Sequence, residues 1–269
     1  FQTLMDGSPP SWEGRRAFIM DGTTSALASL DELRREFPPA PNQHRPSAWP
    51  ILHWAVAHEL SSACALRPEI GAKYGPQAVG EVTLAIRMLP RLPLHSLVMA
   101  DRNFGVFVFS HAAQAAGHDV VTRLTEARFK SLVKQARPLG PGRWELAWKP
   151  SRKERRKHPE LPADACVNVE LHEVQGTDAK GQPLTLWIVT TLVTTGEKLA
   201  ELYHQRLNVE TDIRNVKVVL AWTSKVTSIL GLFYLSDLTV DLDLKVFDAS
   251  GNLVGYSGSW DNSYEIAEF

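Results

Sequence analysis

The sequence predicts an α/β protein: a mixed sheet with flanking helices, a β-rich insertion, and a β-structured tail. Three observations carry this expectation. Strand and helix patterns alternate across residues 15–137, as they do where helices cover a central sheet. Turn clusters then separate β-type runs over residues 138–195. Beyond residue 218, acidic and apolar residues alternate with the period of two that a half-buried strand requires.

Residues 1–14 are polar with a Pro9-Pro10 pair and read as an irregular lead-in. Arg16 to Met20 is a short apolar run that enters Asp21-Gly22-Thr23-Thr24, a strand running into a turn. Leu27 to Phe37 has helical spacing, and Pro38-Pro39 stops it. Ala48 to Leu60 reads as a strand, with Cys64 to Arg67 pairing beside it. Tyr74 to Leu92 places Val79, Val82, Ile86 and Leu89 on a helix face. Leu94 to Ala100 is a buried-strand pattern closed by Asp101; Phe104 to Ala116 is a helix closed by Gly117; His118 to Leu124 is another strand. In the β-rich insertion, Pro138-Leu139-Gly140-Pro141-Gly142 and Ala179-Lys180-Gly181 punctuate the runs Cys166–Val174 and Leu184–Thr191, and Arg152–Lys157 forms a basic loop. A helix covers residues 196–217, from Glu197 to about Asn215.

Hydrophobic residues at 44% and charged residues at 22% are those of a globular chain and exclude a disordered or fibrous one. No apolar run reaches membrane-spanning length and no secretory pattern opens the sequence, so a cytoplasmic protein is expected. The chain opens at Phe1 rather than Met, so a natural N-terminus upstream is expected. Cys64 and Cys166 lack partner spacing and fit reduced thiols. The net charge of −1 names no partner, but its distribution is polarised. Twelve Lys and Arg face three acids between Arg123 and His158, whereas two Lys face seven acids from Val218 to Phe269. One stretch therefore suits a polyanion and the other repels it.

Asp21 and Asp101 each close a predicted strand, and ligands of open sheets gather at strand carboxyl ends. Two such aspartates joined by a helical carboxylate make a hard-oxygen cage suited to Mg²⁺ or Mn²⁺. On the last predicted helix Tyr203, Arg206, Glu210 and Lys217 fall within roughly 60° of arc. A carboxylate flanked by a phenol and two cations is a poor core face and a sensible one for a metal site crossed by phosphates. Alone, Asp-Gly is ordinarily a turn, Asp101 a helix cap, and a Tyr-Arg-Glu stripe a solvated face. His53, His58-Glu59 and His172-Glu173 lack zinc-protease spacing and are assigned to structure. Trp144, Trp148 and Trp187 are assigned to packing.

The run Tyr203-x₂-Arg206-x₃-Glu210-x₆-Lys217 resembles the Y-R-E-K signature of insertion-sequence DDE transposases. Ile19-Met20-Asp21-Gly22-Thr23-Thr24 resembles the first catalytic aspartate segment of that family, and Val98-Met99-Ala100-Asp101-Arg102-Asn103-Phe104-Gly105 resembles the second. Tyr74-Gly75-Pro76-Gln77-Ala78 and Asp212-Ile213-Arg214-Asn215 are similar to it as well. The resemblance implies a ribonuclease-H-like core divided as 15–137 and 196–217, with residues 138–195 inserted to shape the site around a transposon end. It implies two Mg²⁺ ions, for which Mn²⁺ substitutes, held by Asp21, Asp101 and Glu210. It further implies cleavage and strand transfer on double-stranded DNA, transposon ends and target alike, by a protein that is dimeric in intact members. Tyr203, Arg206 and Lys217 would hold phosphates near the cleaved strand. Arg152, Lys153, Arg155 and Arg156 of the basic loop are assigned to DNA on charge alone.

Residues 218–269 depart from that family, which would continue in helix. Lys217-Val218-Val219-Leu220-Ala221-Trp222, Asp241-Leu242-Asp243-Leu244 and Ser259-Trp260-Asp261-Asn262 resemble the β-sandwich appended to secreted subtilisin-like peptidases and related prepeptidase C-terminal domains. Ala249-Ser250-Gly251-Asn252 reads as a hairpin turn, with Leu253 to Tyr256 returning and Tyr264–Phe269 a last strand. About fifty residues supply too few strands for a whole sandwich. The expectation is a partial β-sandwich on a hybrid reading frame, and Lys217 fits either parent. The alternative function is a truncated or fused remnant that only binds DNA nonspecifically through residues 123–158.

Overall fold

A computed structural model describes residues 9–41, 49–62, 64–177 and 182–214, and beyond them the backbone of six short strands. The side chains it describes end at residue 205. The chain divides into two compact units, Phe1–Glu210 and Thr211–Phe269.

The first unit is organised by a run with no polar side chain. Ala17, Phe18, Ile19 and Met20 begin strand β1 (Ala17–Ala26) and are all buried. Parallel to them lies β4 (Leu97–Ala100), equally buried, paired from Ala17↔Leu97 to Met20↔Ala100. Continuous apolar runs of this kind belong to strands covered on both faces. On the far side of β1, β2 (Ile51–Glu59) and β3 (Glu69–Ala72) continue antiparallel. On the far side of β4, β5 (Asp119–Arg123) is parallel, and β9 (Pro183–Thr190), β8 (Val167–Thr177), β7 (Arg143–Trp148) and β6 (Arg137–Gly140) follow antiparallel. The result is one nine-stranded mixed sheet, ordered β3-β2-β1-β4-β5-β9-β8-β7-β6.

Helices α1 (Asp31–Glu36), α2 (Glu81–Met88), α3 (Phe107–Ala115), α4 (Glu126–Val133), α5 (Arg152–Lys157) and α6 (Gly196–Arg214) complete the unit, with α6 running on past its end. A 3₁₀ turn at Leu89–Arg91, with proline in its first turn, ends α2 early. Gly117 closes α3 at φ +81°. One core cluster joins α2 and α3 to the sheet through Leu84, Met88, Phe109, Phe18 and Met20. A second joins α4 to β7, β8 and β9 through Phe129, Trp148, Val169, Leu171 and Val189. Trp148 meets Phe107 edge-on at 5.7 Å, and Trp144 meets Phe129 likewise at 5.6 Å. These tryptophans are packing residues, as their β-type context predicts.

The residues expected to form an insertion extend the main sheet directly. The seam between β5 and β9 has only three paired positions, Val121↔Thr190 to Arg123↔Ile188. Threonine hydroxyls lengthen it. Thr190 Oγ1 donates to Val120 O at 2.7 Å, Thr191 Oγ1 donates to Asp119 Oδ1 at 2.7 Å and accepts from Val120 N at 3.0 Å.

Several boundaries differ from expectation. The turn at Asp21–Thr24 is continuous strand, because β2 pairs along β1 as far as Ala26↔Ile51. Trp54 Nε1 clamps this stretch through Ser25 Oγ at 2.9 Å. Helix α1 starts at Asp31 rather than Leu27, and α2 at Glu81 rather than Tyr74. Cys64–Arg67 makes one bridge, His58↔Ala65, while the paired strand is β3. Helix α4 was not anticipated; Thr125 caps it by accepting from Arg128 N. The basic segment Arg152–Lys157 is helix rather than loop. Ser151 and Glu154 form a reciprocal capping box that the sequence contains and the loop assignment overlooks.

Both cysteines are free. Among the described residues no helix is long and apolar enough to cross a membrane. Two of the histidines assigned to structure have polar partners: His53 Nδ1 sits 2.8 Å from Val79 O, and His172 Nε2 2.9 Å from Glu170 Oε2.

The second unit contains β10 (Val219–Ala221), β11 (Lys225–Ile229), β12 (Phe233–Asp237), β13 (Leu244–Phe247), β14 (Leu253–Ser257) and β15 (Tyr264–Ile266). They pair antiparallel as β10–β15, β11–β12 and β13–β14. The expected hairpin turn at residues 249–252 lies outside the described residues.

Gly105 tests the packing of the first unit. A Cβ there would drive into the carbonyl oxygen of Arg123, a backbone atom that cannot swing aside. Gly105→Ala should lower unfolding stability by about 1–3 kcal/mol. Gly140→Ala, where the added carbon meets nothing within 4 Å, should leave the urea midpoint nearly unchanged. Equal midpoints for the two variants would contradict this packing.

Candidate active site

The parallel pairing of β1 with β4 ends at Met20↔Ala100. The next residue on each chain is an aspartate, Asp21 on one and Asp101 on the other. Neighbouring strands lie about 4.8 Å apart, so the register brings the two acids side by side. Both are half-buried. Asp101 leaves the end of β4, as expected. Asp21 lies within β1, not at its end; it stands where the strand loses its parallel neighbour and keeps only β2.

Local hydrogen bonds hold both carboxylates. Asp21 Oδ1 accepts from Gly22 N at 2.8 Å, and Asp101 Oδ1 accepts from Asn103 N at 2.7 Å. Asp101 thus anchors a turn rather than capping α3, whose N-cap is Val106. The Asn103 amide then donates to Glu81 Oε2 at 3.4 Å.

Glu81 is the residue the sequence argument missed. It is the first residue of α2, and its side chain packs over Gly22 so closely that a Cβ there would lie 2.5 Å from Glu81 Oε1. Burial first, then Asp101 and Asp21, hold its carboxyl above the ordinary value of 4.5, although Asn103 opposes the shift. Glu81 at the start of α2 therefore feels the charge of both Asp21 on β1 and Asp101 just after β4. Among the described residues no three His, Cys, Asp or Glu already stand close enough to hold a metal ion. A first-turn glutamate is common in helices, so only Gly80-Glu81 as a helix start could have drawn notice.

The other expected site residues are placed as follows. Glu210 and Arg206 lie on α6, their side chains outside the described residues, as is Lys217 altogether. Tyr203, also on α6, is 4% exposed and sits in the interior, not on a surface open to phosphates. On α5, Arg152, Lys153 and Arg156 are exposed. Arg155 is committed to structure: its guanidinium donates to Pro162 O at 3.0 Å and Ala163 O at 2.9 Å.

A groove of ≈ 920 Å³ opens beside Glu81 and is bounded by the start of α2, the start of α3, α4, the end of β7, and α5. Of the basic residues named singly for DNA, Lys153 alone lines it among the described residues, joined by Lys157 of the same basic segment and by Lys149 of the wider 123–158 stretch. Neither a protein-family model nor a curated protein matches the chain.

The raised Glu81 fixes a pH dependence. Its charged form is disfavoured in the fold, so it costs stability above the ordinary value and costs nothing well below it. Glu81→Gln keeps an acceptor for Asn103 and removes the charge. It should raise the melting temperature at pH 7, with the gain vanishing as pH falls below 4.5. A gain that persists undiminished in acid would remove charge repulsion as its cause.

Proposed function

We propose that the chain is the catalytic core of a DDE-type DNA transposase, performing metal-dependent phosphodiester chemistry with Asp21, Asp101 and Glu210. The observation that carries this is the register: two aspartates follow one parallel pair of buried strands, at the place where sheets present ligands. The mixed sheet with helices around it suits a ribonuclease-H-like core, and the β10–β15 segment suits a partial β-sandwich.

The donor set fits hard divalent cations. Asp21 and Asp101 offer half-exposed carboxylates, and Glu81 adds a third acid whose protonation is favoured first by burial and then by the charges of Asp101 and Asp21. Bound Mg²⁺ or Mn²⁺ would supply activation of a water or 3′-hydroxyl and stabilise the leaving oxygen. The residues themselves fix the acceptors. Gly22 N and Asn103 N orient the aspartates, Asn103 ties Asp101 to Glu81, and the absent side chain at Gly22 lets Glu81 approach. Helix α6 carries Glu210 in the same compact unit. Double-stranded DNA is the proposed substrate, with the cations on α5 supplying sequence-independent phosphate attraction.

The test is nicking of supercoiled plasmid by the full chain in Mg²⁺ or Mn²⁺. Native protein should nick only with metal, and Asp21→Asn, Asp101→Ala and Glu210→Ala should each lower the rate by about 100-fold or more. Folded, DNA-bound native protein that never nicks would leave a binding remnant and sink the enzymatic reading.

A further inference from the structure

The groove beside Glu81 has a lining with two chemistries. Its floor is apolar, with Ile86, Val106 and Leu146 half-buried, leaving part of their carbon surface open to solvent. Its rim is cationic: Lys149, Lys153 and Lys157 are exposed, and none takes part in an ion pair among the described residues. Lys153 and Lys157 stand one helical turn apart on α5, an arrangement that costs the helix stability through like-charge repulsion.

The acids of the groove do not offset these cations. Glu154 is occupied by the backbone: its carboxylate accepts from Ser151 N at 2.8 Å and Phe107 N at 3.3 Å. Glu81 lies at the other end and belongs to the aspartate cluster. Arg128 reaches across the wall to Gly105 O at 2.6 Å and holds it rigid. A cationic rim over an apolar floor thus leads to Glu81, whose carboxyl is within electrostatic reach of Asp101 and Asp21.

We propose that this groove binds an unpaired nucleic-acid strand of a few nucleotides, with phosphates along Lys149, Lys153 and Lys157 and bases against Ile86, Val106 and Leu146. The volume is that of a generous small-molecule pocket and far too small for a duplex. A positively charged groove that tracks the backbone is how single strands are held without sequence preference, and here aliphatic side chains take the place beside the bases that aromatic ones commonly fill. The inference rests on the transposase proposal for one thing, the identity of the polyanion as nucleic acid. It adds that the strand enters the carboxylate cluster unpaired.

The test is fluorescence anisotropy of the full chain, without metal, against a labelled oligothymidine and a blunt duplex of equal length over a salt series. The native chain should bind the single strand, with a slope of log K against log salt of at least about −2, three contacts at about 0.7 each. Lys149→Ala/Lys153→Ala/Lys157→Ala should remove that slope while its duplex binding changes no more than in Arg152→Ala/Arg156→Ala. The latter pair lies on the same helix but outside the groove lining. An unchanged single-strand slope in the triple variant overturns the groove. So does equal loss in the two variants, or competition by poly-glutamate as effective per charge as by DNA. Plasmid nicking by native protein, read separately, distinguishes the failures. Nicking with an unchanged slope sinks the groove alone, and a lost slope without nicking sinks the enzymatic proposal alone.

Discussion

Everything proposed for this molecule depends on four consecutive residue pairs, Ala17↔Leu97 to Met20↔Ala100. All eight side chains are buried, so the register is fixed by packing on both faces of the sheet rather than by any polar contact. A slip of one residue would exchange the faces of Phe18 and Ile19 and expel Phe18 and Met20 from the cluster they share with Leu84 and Met88. It would also separate Asp21 from Asp101. Carboxylates repel each other and would not choose adjacency unaided. The apolar pairing before them imposes it, and the core bears the electrostatic cost.

That division explains which features were legible in the sequence. Leu97–Ala100 and its closing Asp101 were readable because four apolar residues followed by a polar one describe a buried strand end. Gly117 was readable as the stop of α3 because only glycine meets a positive φ there without strain. Asp21-Gly22 misled because the dipeptide is a local turn signal, whereas the real determinant is distant. Strand β2 supplies partners through Ala26, and tertiary pairing overrides the local preference. Helix α4 was hidden among basic residues, and its apolar anchors Phe129 and Leu132 are too few to mark a helical face. Glu81 was hidden for another reason. Its chemistry comes from meeting Gly22, Asn103 and two aspartates, none of which is near it in sequence.

The electrostatics of the first unit follow a similar logic. The acids that intrude among the bases of residues 123–158 are each held by specific partners. Glu154 is spent on caps and Glu126 pairs with Lys130 along α4. Glu170 is held below its ordinary range despite its burial, because Arg143 and then His172 hydrogen-bond to it. Two sets of charges stand out beside these: Glu81 with the aspartates after β1 and β4, and the exposed lysines bordering the groove, which take part in no ion pair among the described residues. Charged groups gathered in a cleft are better functional candidates than ion pairs scattered over a surface.

The position of the lysines relative to the acids is then a question of sheet continuity. Within the sheet, helix α5 connects to the carboxylate side through β7, β8 and β9, and these join the rest through the short seam with β5. Three paired positions are few for a joint between such large parts. The hydroxyls of Thr190 and Thr191 add bonds to Val120 and Asp119 just where the ladder ends, and Leu124 N reaches Trp187 O at 2.6 Å at the other end. Phe107 N, at the start of α3, adds a tie outside the sheet by donating to Glu154 on α5. The same glutamate that caps α5 thereby fastens it to the helix that follows Asp101. A capping box that merely ended a loop would need only Ser151. By also engaging α3, Glu154 makes the basic helix part of the framework that carries the acids, and one carboxylate, accepting from Ser151 N and Phe107 N, ties the two walls of the groove.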